Sequence, residues 1–363
     1  MRRAERAASG GASASSPDGD GVRGREAAGG DRPRELAAGL TSFLEAELGP
    51  GAEPRVSDVA AVASIGNARE PWSFTVRWHT PDGDERVERC VMLIKAEAGQ
   101  LDTALGPELH TIAALAGSGV PVPRALWLDD EGGWLGRPFF VTAFVPGTAS
   151  MRPLRVPGGV PEIRAVGLDL ARAAARLHAV DWQAAGLDEH LEPVGVGDVA
   201  LRELATWERQ FERQRLEPHP ALVYAFAWLR RRAPVAERIG VVHGDLRFGN
   251  LLYEGDRLTA LLDWEMVHLG DPVEDLGWVY RRIWTPERSL PFEEFLAAYE
   301  AEAGRRVEPE HLRWYQAFAE VKHSVISLHG ARSFHDRRTT NLRHADRAET
   351  VPAFLERFFE LVA

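Results

Sequence analysis

Cysteine, lysine and long apolar runs are all scarce in this chain of 363 residues. The single cysteine, Cys90, excludes an internal disulfide framework and zinc sites of the paired-cysteine kind, and it suits a reducing compartment. No apolar run reaches the length that spans a membrane, and the N-terminal residues lack the apolar segment of a secretory signal. We therefore expect a cytoplasmic protein without a membrane partner.

The basic residues are almost all arginine, because only Lys95 and Lys322 among the 43 basic side chains are lysines. Ammonium and guanidinium groups are not interchangeable at a tight phosphate site, so either lysine is a candidate for function. The alternative for each is a lysine at the surface. The formal net charge of -11 argues against nucleic acid as the main partner and says little about a small substrate. The sequence leaves the oligomeric state open.

Composition and periodicity divide the chain into three parts. Residues 1–33 are rich in Gly, Ala, Ser and Arg and have no periodic apolar pattern, which predicts a disordered tail. Residues 34–145 combine one N-terminal helix with five strands and an inserted helix, and residues 146–363 are mostly helical. This order predicts an α+β, protein kinase-like fold with two lobes. The small N-lobe has an antiparallel sheet plus a helix and binds nucleotide, and the larger C-lobe carries catalysis and substrate binding.

The expected boundaries follow from apolar spacing and from Gly- and Pro-bearing connections. Strands are predicted at residues 59–65, 72–78, 87–95, 125–128, 138–145, 251–253 and 260–262. Helices are predicted at residues 33–48, 104–116, 163–179, 199–214, 221–232, 272–284, 291–303, 309–329 and 350–361.

A polar loop just before the two short C-lobe strands carries the strongest chemical signal. Asp245 and Asn250 stand five residues apart, and Asp263 follows after a short apolar run. Phosphoryl transfer from ATP needs a carboxylate that holds the acceptor hydroxyl, and an amide and a second carboxylate that hold Mg²⁺ against the phosphates; protein kinases use this spacing. We predict that Asp245 orients the hydroxyl and accepts its proton, and that Asn250 and Asp263 bind the metal. The alternative is a set of turn and cap residues.

Three further charged residues complete the predicted site. Lys95 ends an apolar strand and Glu108 follows early in the next helix, an order that matches the kinase pair of an ATP-binding lysine and the glutamate that holds it. We therefore expect replacement of Lys95 to weaken ATP use, and replacement of Lys322 to matter less. Arg247 stands two residues after Asp245, where it either reaches the transferring phosphoryl group or substrate, or lies at the surface.

The amino-acid sequence around the loop resembles that of a known family. The segments that carry the resemblance are His243-Gly244-Asp245, Asp263-Trp264-Glu265, Gly270-Asp271-Pro272 and Asp275-Leu276-Gly277. They resemble the aminoglycoside phosphotransferase and choline kinase-like family, and most closely the branch found fused to acyl-CoA dehydrogenases. The resemblance runs from about residue 36 to the C-terminus and is most specific between residues 241 and 278.

The resemblance implies roles for several more residues. His243 is expected to pack beneath the loop and bond to backbone, and Asp271 and Asp275 to tie the loop to the following helix. A pattern of Gly, five residues and Trp-Ser-Phe implies that Gly66 and Asn67 lie in a loop over the ATP phosphates. The backbone of residues 139–144 is expected to contact the adenine.

Together these features predict a Mg-ATP-dependent phosphotransferase that modifies a hydroxyl of a small molecule. The resemblance to the branch fused to acyl-CoA dehydrogenases implies a hydroxy acid or hydroxyacyl-CoA as acceptor. An aminoglycoside is an alternative acceptor. Because aminoglycosides are cationic, the acidic helix predicted at residues 291–303 would suit them. A non-catalytic nucleotide-binding pseudokinase module is another alternative. A metal hydrolase that uses His243, Asp245, Asp263 and His268 is the third. Residues 333–347, the basic segment, either meet an acidic substrate or form a solvated loop.

Overall fold

Alternating apolar residues build the smaller lobe around one antiparallel sheet. The computed structural model describes residues 31–62, 69–96 and 103–363, so most of the predicted tail and the predicted loop residues Gly66 and Asn67 lie outside the described residues. Five strands pair antiparallel in the order β1-β2-β3-β5-β4. Their bounds are β1 Arg55–Ala61, β2 Arg69–His79, β3 Glu85–Lys95, β4 Ala125–Asp129 and β5 Phe139–Ala143.

Two helices accompany this sheet, α1 (Arg32–Leu48) and α2 (Gly106–Ala114). The buried side chains of α1 recur at helical spacing, which places one apolar stripe on the sheet: Leu36, Leu40, Phe43 and Leu44. The rings of Phe43 and Phe139 meet edge to face, with centroids 5.0 Å apart. The core of this lobe thus consists of the apolar side of α1 and the buried side chains of the sheet, which alternate along the strands.

The larger lobe is mainly helical and includes two small β-ribbons. Its helices are α3 Pro161–Ala179, α4 Val199–Gln214, α5 Pro220–Arg231, α6 Val273–Val279, α7 Phe292–Ala303, α8 Pro309–His335, α9 Leu342–Ala345 and α10 Val351–Val362. Its strands are β6 Gly240–Val242, β7 Leu251–Glu254, β8 Arg257–Leu261 and β9 His268–Gly270. The long helix α8 packs against α4, α5, α6 and α10. Within the described ranges, no helix is both long and apolar enough to cross a membrane.

The two ribbons position the polar loop. β6 pairs with β9 and β7 pairs with β8, both antiparallel. Residues 243–250 connect β6 to β7, and Asp263 stands two residues after the end of β8. The ribbons therefore present the residues of the loop and Asp263 side by side, although they come from separate parts of the chain.

Several elements differ from the expected ones. The first strand ends at Ala61 rather than residue 65, and its pairing with β2 shifts between Ser57 and Ala60. Helix α6 ends at Val279, because Tyr280 adopts a non-helical conformation although the apolar spacing continues to residue 284. The short strands β6 and β9 were not predicted, since three apolar residues carry no readable period. The lobe boundary near residues 145 and 146 stays a prediction.

Helix α8 runs six residues further than expected, to His335. A glycine near a predicted end is usually a stop signal. Gly330 instead lies inside the helix, and a Cβ atom there would stand 2.9 Å from Cδ of Arg347. Gly330 therefore allows the segment after α9 to pack closely on the helix.

Candidate active site

The loop between β6 and β7 has its shape fixed by a buried aspartate. Asp275, on α6, is fully buried, and its carboxylate accepts hydrogen bonds from the backbone N–H groups of His243 (2.8 Å) and Gly244 (3.0 Å). Gly244 has φ +79°, and a Cβ atom there would lie 2.4 Å from the carbonyl oxygen of Met266. The loop therefore requires glycine at position 244. The hydrogen bonds of Asp275 confirm the expectation that it ties the loop to the following helix.

His243 lies beneath the loop and both of its ring nitrogens are engaged. Nε2 stands 3.0 Å from the carbonyl oxygen of Leu262, and Nδ1 accepts the backbone N–H of Asp245 at 3.3 Å. These partners assign the neutral ring with its proton on Nε2. Burial lowers the pKa of His243, which keeps the ring neutral. The expected packing of His243 is confirmed, and a hydrolase metal site on this ring is disfavoured.

The carboxylate of Asp245 is held by three donors. Trp278 Nε1 donates to Oδ1 at 2.6 Å, Asn250 Nδ2 donates to Oδ2 at 2.6 Å, and Arg247 Nε lies 3.0 Å from both oxygens. These donors fix the orientation of the Asp245 carboxylate, and the side chain remains 13% exposed. Trp278 was not identified from the sequence as a site residue.

Asp263 has an unusual backbone for a residue other than glycine, with φ +67°. Such a conformation is uncommon outside Gly and Asn, and it is concentrated at functional sites. Burial, together with the nearby carboxylate of Asp245, raises the pKa of Asp263 to about 6. The structure therefore places two carboxylates of the predicted site close enough to oppose each other's ionisation.

Two further carboxylates join this acidic cluster. Burial, together with Asp263, raises the pKa of Glu265 to about 8, and Glu265 Oε2 is buried without a hydrogen-bond partner among the described residues. Burial also raises the pKa of Glu108 to about 7, with Asp263 contributing in the same direction. Several buried carboxylates that share one region form a suitable environment for a divalent cation.

Glu108 forms its ion pair with an arginine. Nη2 of Arg69 lies 3.1 Å from Oε2 of Glu108, and both side chains are almost fully buried. Arg69 stands opposite Lys95 in the pairing of β2 with β3, so both cations lie at this end of the sheet. The expected pair between Lys95 and Glu108 stays a prediction.

Lys322, for which a smaller effect than that of Lys95 was expected, lies against the polar loop. Its side chain is 1% exposed, and Nζ donates to the carbonyl oxygen of Gly244 and to Oε1 of Glu274, both at 2.9 Å. The alternative of a surface lysine is therefore wrong for Lys322. The scarcity of lysine was the only sequence signal, because the contact joins residues 78 positions apart.

The comparisons with known proteins agree on one family. The model of a family described as "Phosphotransferase enzyme family" matches residues 66–315. Acyl-CoA dehydrogenase family member 10 of Mus musculus is 33% identical over 197 residues, which cover 53% of this chain and 18% of that protein. Acyl-CoA dehydrogenase family member 11 of Rattus norvegicus is 31% identical over 199 residues, which cover 52% of this chain and 25% of that protein. The chain thus spans a quarter or less of these relatives, and the resemblance predicted from the sequence is confirmed.

Solved structures share the fold at low identity. A protein of Ralstonia eutropha JMP134 named for the aminoglycoside phosphotransferases has a TM-score of 0.67 and 23% identity, covering 89% of this chain and 97% of its own. A thermostable variant of aminoglycoside phosphotransferase APH(4)-Ia, in a ternary complex with AMP-PNP and hygromycin B, has a TM-score of 0.59 and 17% identity, covering 90% of this chain and 99% of its own. The two-lobed α+β fold predicted from the sequence is confirmed.

Proposed function

The chain belongs to the phosphotransferase enzyme family, and on that premise we propose that it is a Mg-ATP-dependent small-molecule kinase. It transfers the γ-phosphoryl group to a hydroxyl of its acceptor. The observation that carries the proposal is the carboxylate of Asp245, which three donors hold in one orientation next to a buried acidic cluster. A non-catalytic nucleotide-binding module has no need of such an arrangement.

Asp245 is the proposed catalytic residue. Its fixed carboxylate orients the acceptor hydroxyl and accepts the hydroxyl proton as the oxygen bonds to phosphorus. Arg247 bonds to Asp245 through Nε, which leaves its terminal nitrogens for the transferred group or the acceptor. Placement of these groups supplies most of the catalysis, because phosphoryl transfer depends on alignment and on charge stabilisation.

The side chains next to Asp245 fit Mg²⁺. Asn250 donates its NH₂ group to Asp245, so its amide oxygen remains for a cation. Asp263 is a buried carboxylate, and Oε2 of Glu265 has no hydrogen-bond partner in the described part of the chain. We assign Asn250 and Asp263 as the ligands and Glu265 as a supporting carboxylate. The bound metal supplies positive charge that neutralises the phosphates.

The nucleotide is proposed to bind beneath the sheet of the small lobe. Lys95, at the end of β3, is proposed to contact the phosphates. Glu108 is buried and is proposed to take the place of the helix glutamate that holds this lysine in protein kinases. Gly66 and Asn67 are proposed to cover the phosphates. The AMP-PNP bound to the related fold of APH(4)-Ia supports ATP as the phosphoryl donor.

A hydroxy acid or hydroxyacyl-CoA is the proposed acceptor. The curated relatives named as acyl-CoA dehydrogenases support an acyl substrate. An aminoglycoside is the second candidate, because hygromycin B is bound in a structure of the same fold. The acidic residues of α7 do not favour it, since most of them pair with arginines: Glu294 with Arg164, Glu302 with Arg176 and Glu300 with Arg306.

Release of ADP tests the proposal. Wild type and Asp245→Asn are compared with panels of hydroxy acids, hydroxyacyl-CoA esters and aminoglycosides at saturating Mg-ATP. Turnover that requires Asp245 supports the kinase, and the panel identifies the acceptor class. Binding of ATP without turnover of any acceptor would favour the pseudokinase alternative, and turnover of aminoglycosides alone would refute the acyl substrate.

A further inference from the structure

A row of packed aromatic rings, the aromatic wall, extends from Asp245 to α8 and α10. It begins with Trp278, which bonds to Asp245 and whose ring centroid lies 5.3 Å from that of Trp284. The ring of His323, on α8, stacks on Trp284 at 5.4 Å and on Phe354 of α10 at 4.4 Å. These packed rings connect Asp245 to α8 and α10.

The positive charges of three arginines lower the pKa of His323, and two of these arginines already have partners. Arg281 bonds to the carboxylate of Glu320 and to a backbone carbonyl. Arg247 bonds to Asp245 through Nε only, and its guanidinium carbon lies 5.2 Å from the ring centroid of Trp284. Arg281 is therefore neutralised within the protein, whereas Arg247 still presents its terminal nitrogens.

Arg347 is the third arginine, and its charge has no counterpart. It lies on a 3₁₀ turn, Asp346–Thr350, and its Cδ packs against Gly330 of α8. Among the described residues, no side chain or carbonyl forms a hydrogen bond or ion pair with its guanidinium group. Burial and the nearby charge of Arg247 lower the pKa of Arg347, and because Arg247 pairs with Asp245, Arg347 is the one of the two that has no anion among the described residues.

The imidazole of His323 adds an unsatisfied polar atom at the same place. Its Nδ1 is buried and has no hydrogen-bond partner in the described ranges. Burial, together with Arg281, Arg347 and Arg247, holds the pKa of His323 well below its usual range, so the ring is neutral and can donate one N–H. A buried polar atom without a partner is rare in native proteins and calls for an explanation such as a ligand.

We propose that Arg347, Arg247 and His323 form a subsite for an anionic oxygen-bearing group, a carboxylate or a phosphate, of the acceptor. An anion between the two guanidinium groups removes their repulsion and gains charge-assisted hydrogen bonds, for which guanidinium geometry is well suited. His323 supplies a further donor. The subsite rests on the proposed function, because Arg247 joins it directly to Asp245 and thus fixes the distance from the anion to the reacting hydroxyl.

The remaining arginines of the basic segment do not share this position. Arg337, Arg338 and Arg343 are exposed, and Arg338 pairs with Asp336. The interpretation of this segment as a solvated loop therefore holds for most of its charges. Arg347 differs because Gly330 leaves room for its side chain to pack against α8.

The test uses Arg347→Gln and a matched control, Arg343→Gln, which removes an exposed charge of the same segment. Glutamine retains the stem as far as Cδ, so contact with Gly330 is preserved. Steady-state ADP release is measured with hydroxy acids, with the matched neutral hydroxy amides, and with hydroxyacyl-CoA esters. We expect KM for the acids to rise about 10- to 100-fold in Arg347→Gln, as for loss of hydrogen bonds between charged groups. We expect kcat, KM for ATP and KM for the amides to stay within about threefold, Arg343→Gln to resemble wild type, and Arg347→Lys to recover part of the loss.

The acceptor series locates the anion. If KM for the free acids rises in Arg347→Gln, the subsite binds their carboxylate. If only KM for the CoA esters rises, the subsite binds a phosphate of CoA. An equal rise in KM for acids and amides overturns the subsite, because Arg347 then acts through packing only. A rise in KM for ATP with unchanged acceptor KM also overturns it, since Arg347 then binds nucleotide.

A binding measurement separates failure of the subsite from failure of the proposed function. If the wild type turns over no acceptor, the kinase proposal fails, and the subsite is then tested by thermal unfolding with increasing concentrations of hydroxy acid. Stabilisation of the wild type that is lost in Arg347→Gln supports the subsite, because a ligand that binds the folded state raises its melting temperature. Equal stabilisation, or none in either protein, overturns it.

Discussion

Nζ of Lys322 donates a hydrogen bond to the carbonyl oxygen of Gly244, 2.9 Å away, and so joins helix α8 to the residue before Asp245. The same ammonium group pairs with Glu274, whose other oxygen lies 3.3 Å from Nε2 of His268. A buried chain of charges therefore fixes the backbone on which the proposed catalytic carboxylate stands.

The first prediction is that Lys322→Met impairs both stability and turnover. Removal of one partner of a buried pair costs about 3–5 kcal/mol of unfolding free energy, because the other charge stays buried. We expect kcat to fall at least about tenfold, as the loop loses its anchor, and KM for ATP to change little. Urea unfolding and ADP release measure these effects.

Lys95→Ala is the matched control for the other lysine. It is expected to raise KM for ATP while unfolding free energy stays near that of wild type, since Lys95 lies at a strand end. This contrast reverses the expectation that Lys322 matters less. Addition of Glu274→Gln to Lys322→Met should recover part of the lost stability, and no recovery would mean that the loss does not come from the unpaired carboxylate.

The second prediction concerns Asp245→Asn, which preserves shape and removes the basic oxygen. Turnover should fall about 10²- to 10⁴-fold, the usual contribution of a positioned general base. The affinity for ATP should stay within a few-fold, because the side chain is assigned to the acceptor. The melting temperature should change little: weaker bonds from Trp278 and Arg247 are offset by relief of repulsion with Asp263. Loss of ATP binding, or unfolding, would make Asp245 structural.

The third prediction is that Asp263→Asn abolishes most activity without harm to the fold. Asparagine is among the residues that best tolerate a positive φ, so the +67° backbone is retained. Removal of one charge from the acidic cluster should leave the melting temperature without ligand equal to or above that of wild type. Stabilisation by Mg-ATP should be lost. Wild-type turnover at low Mg²⁺ in this variant would contradict the metal assignment.

Part of the fold and of the candidate site could be predicted because their signals are local. Periods of about two and 3.6 residues marked most strands and helices, as in α1 and α4, within a few residues of their bounds. Asp245, Asn250 and Asp263 could be found because their chemistry depends on short spacings along the chain. The role of Asp275 followed from the family resemblance, and the structure gives its physical reason.

The remaining features depend on contacts between distant parts of the chain. The pair of Arg69 with Glu108 joins β2 to α2, and Lys322 reaches Gly244 from α8. Burial of a lysine or arginine is set by such tertiary packing, and no local pattern distinguishes it from a surface charge. The packing of Arg347 is of the same kind, since it depends on Gly330, which lies inside α8 although the predicted helix ended at residue 329.

The last prediction is that stability without ligands falls as the pH rises above neutrality, through His268. Burial alone would lower the pKa of His268, but the carboxylates of Glu274 and Glu203 outweigh both burial and the like charge of Lys322, and the pKa is raised to about 9. A raised pKa means that the stability contributed by protonated His268 is complete below pH ~6.5, its unfolded-state pKa. That stability is then lost progressively up to pH ~9. We expect the loss to exceed about 1.4 kcal/mol, the equivalent of one pKa unit. Urea unfolding at a series of pH values measures it, and His268→Gln should flatten the profile over this range. An unchanged profile in His268→Gln would show that another group, and not the pair with Glu274, controls stability there.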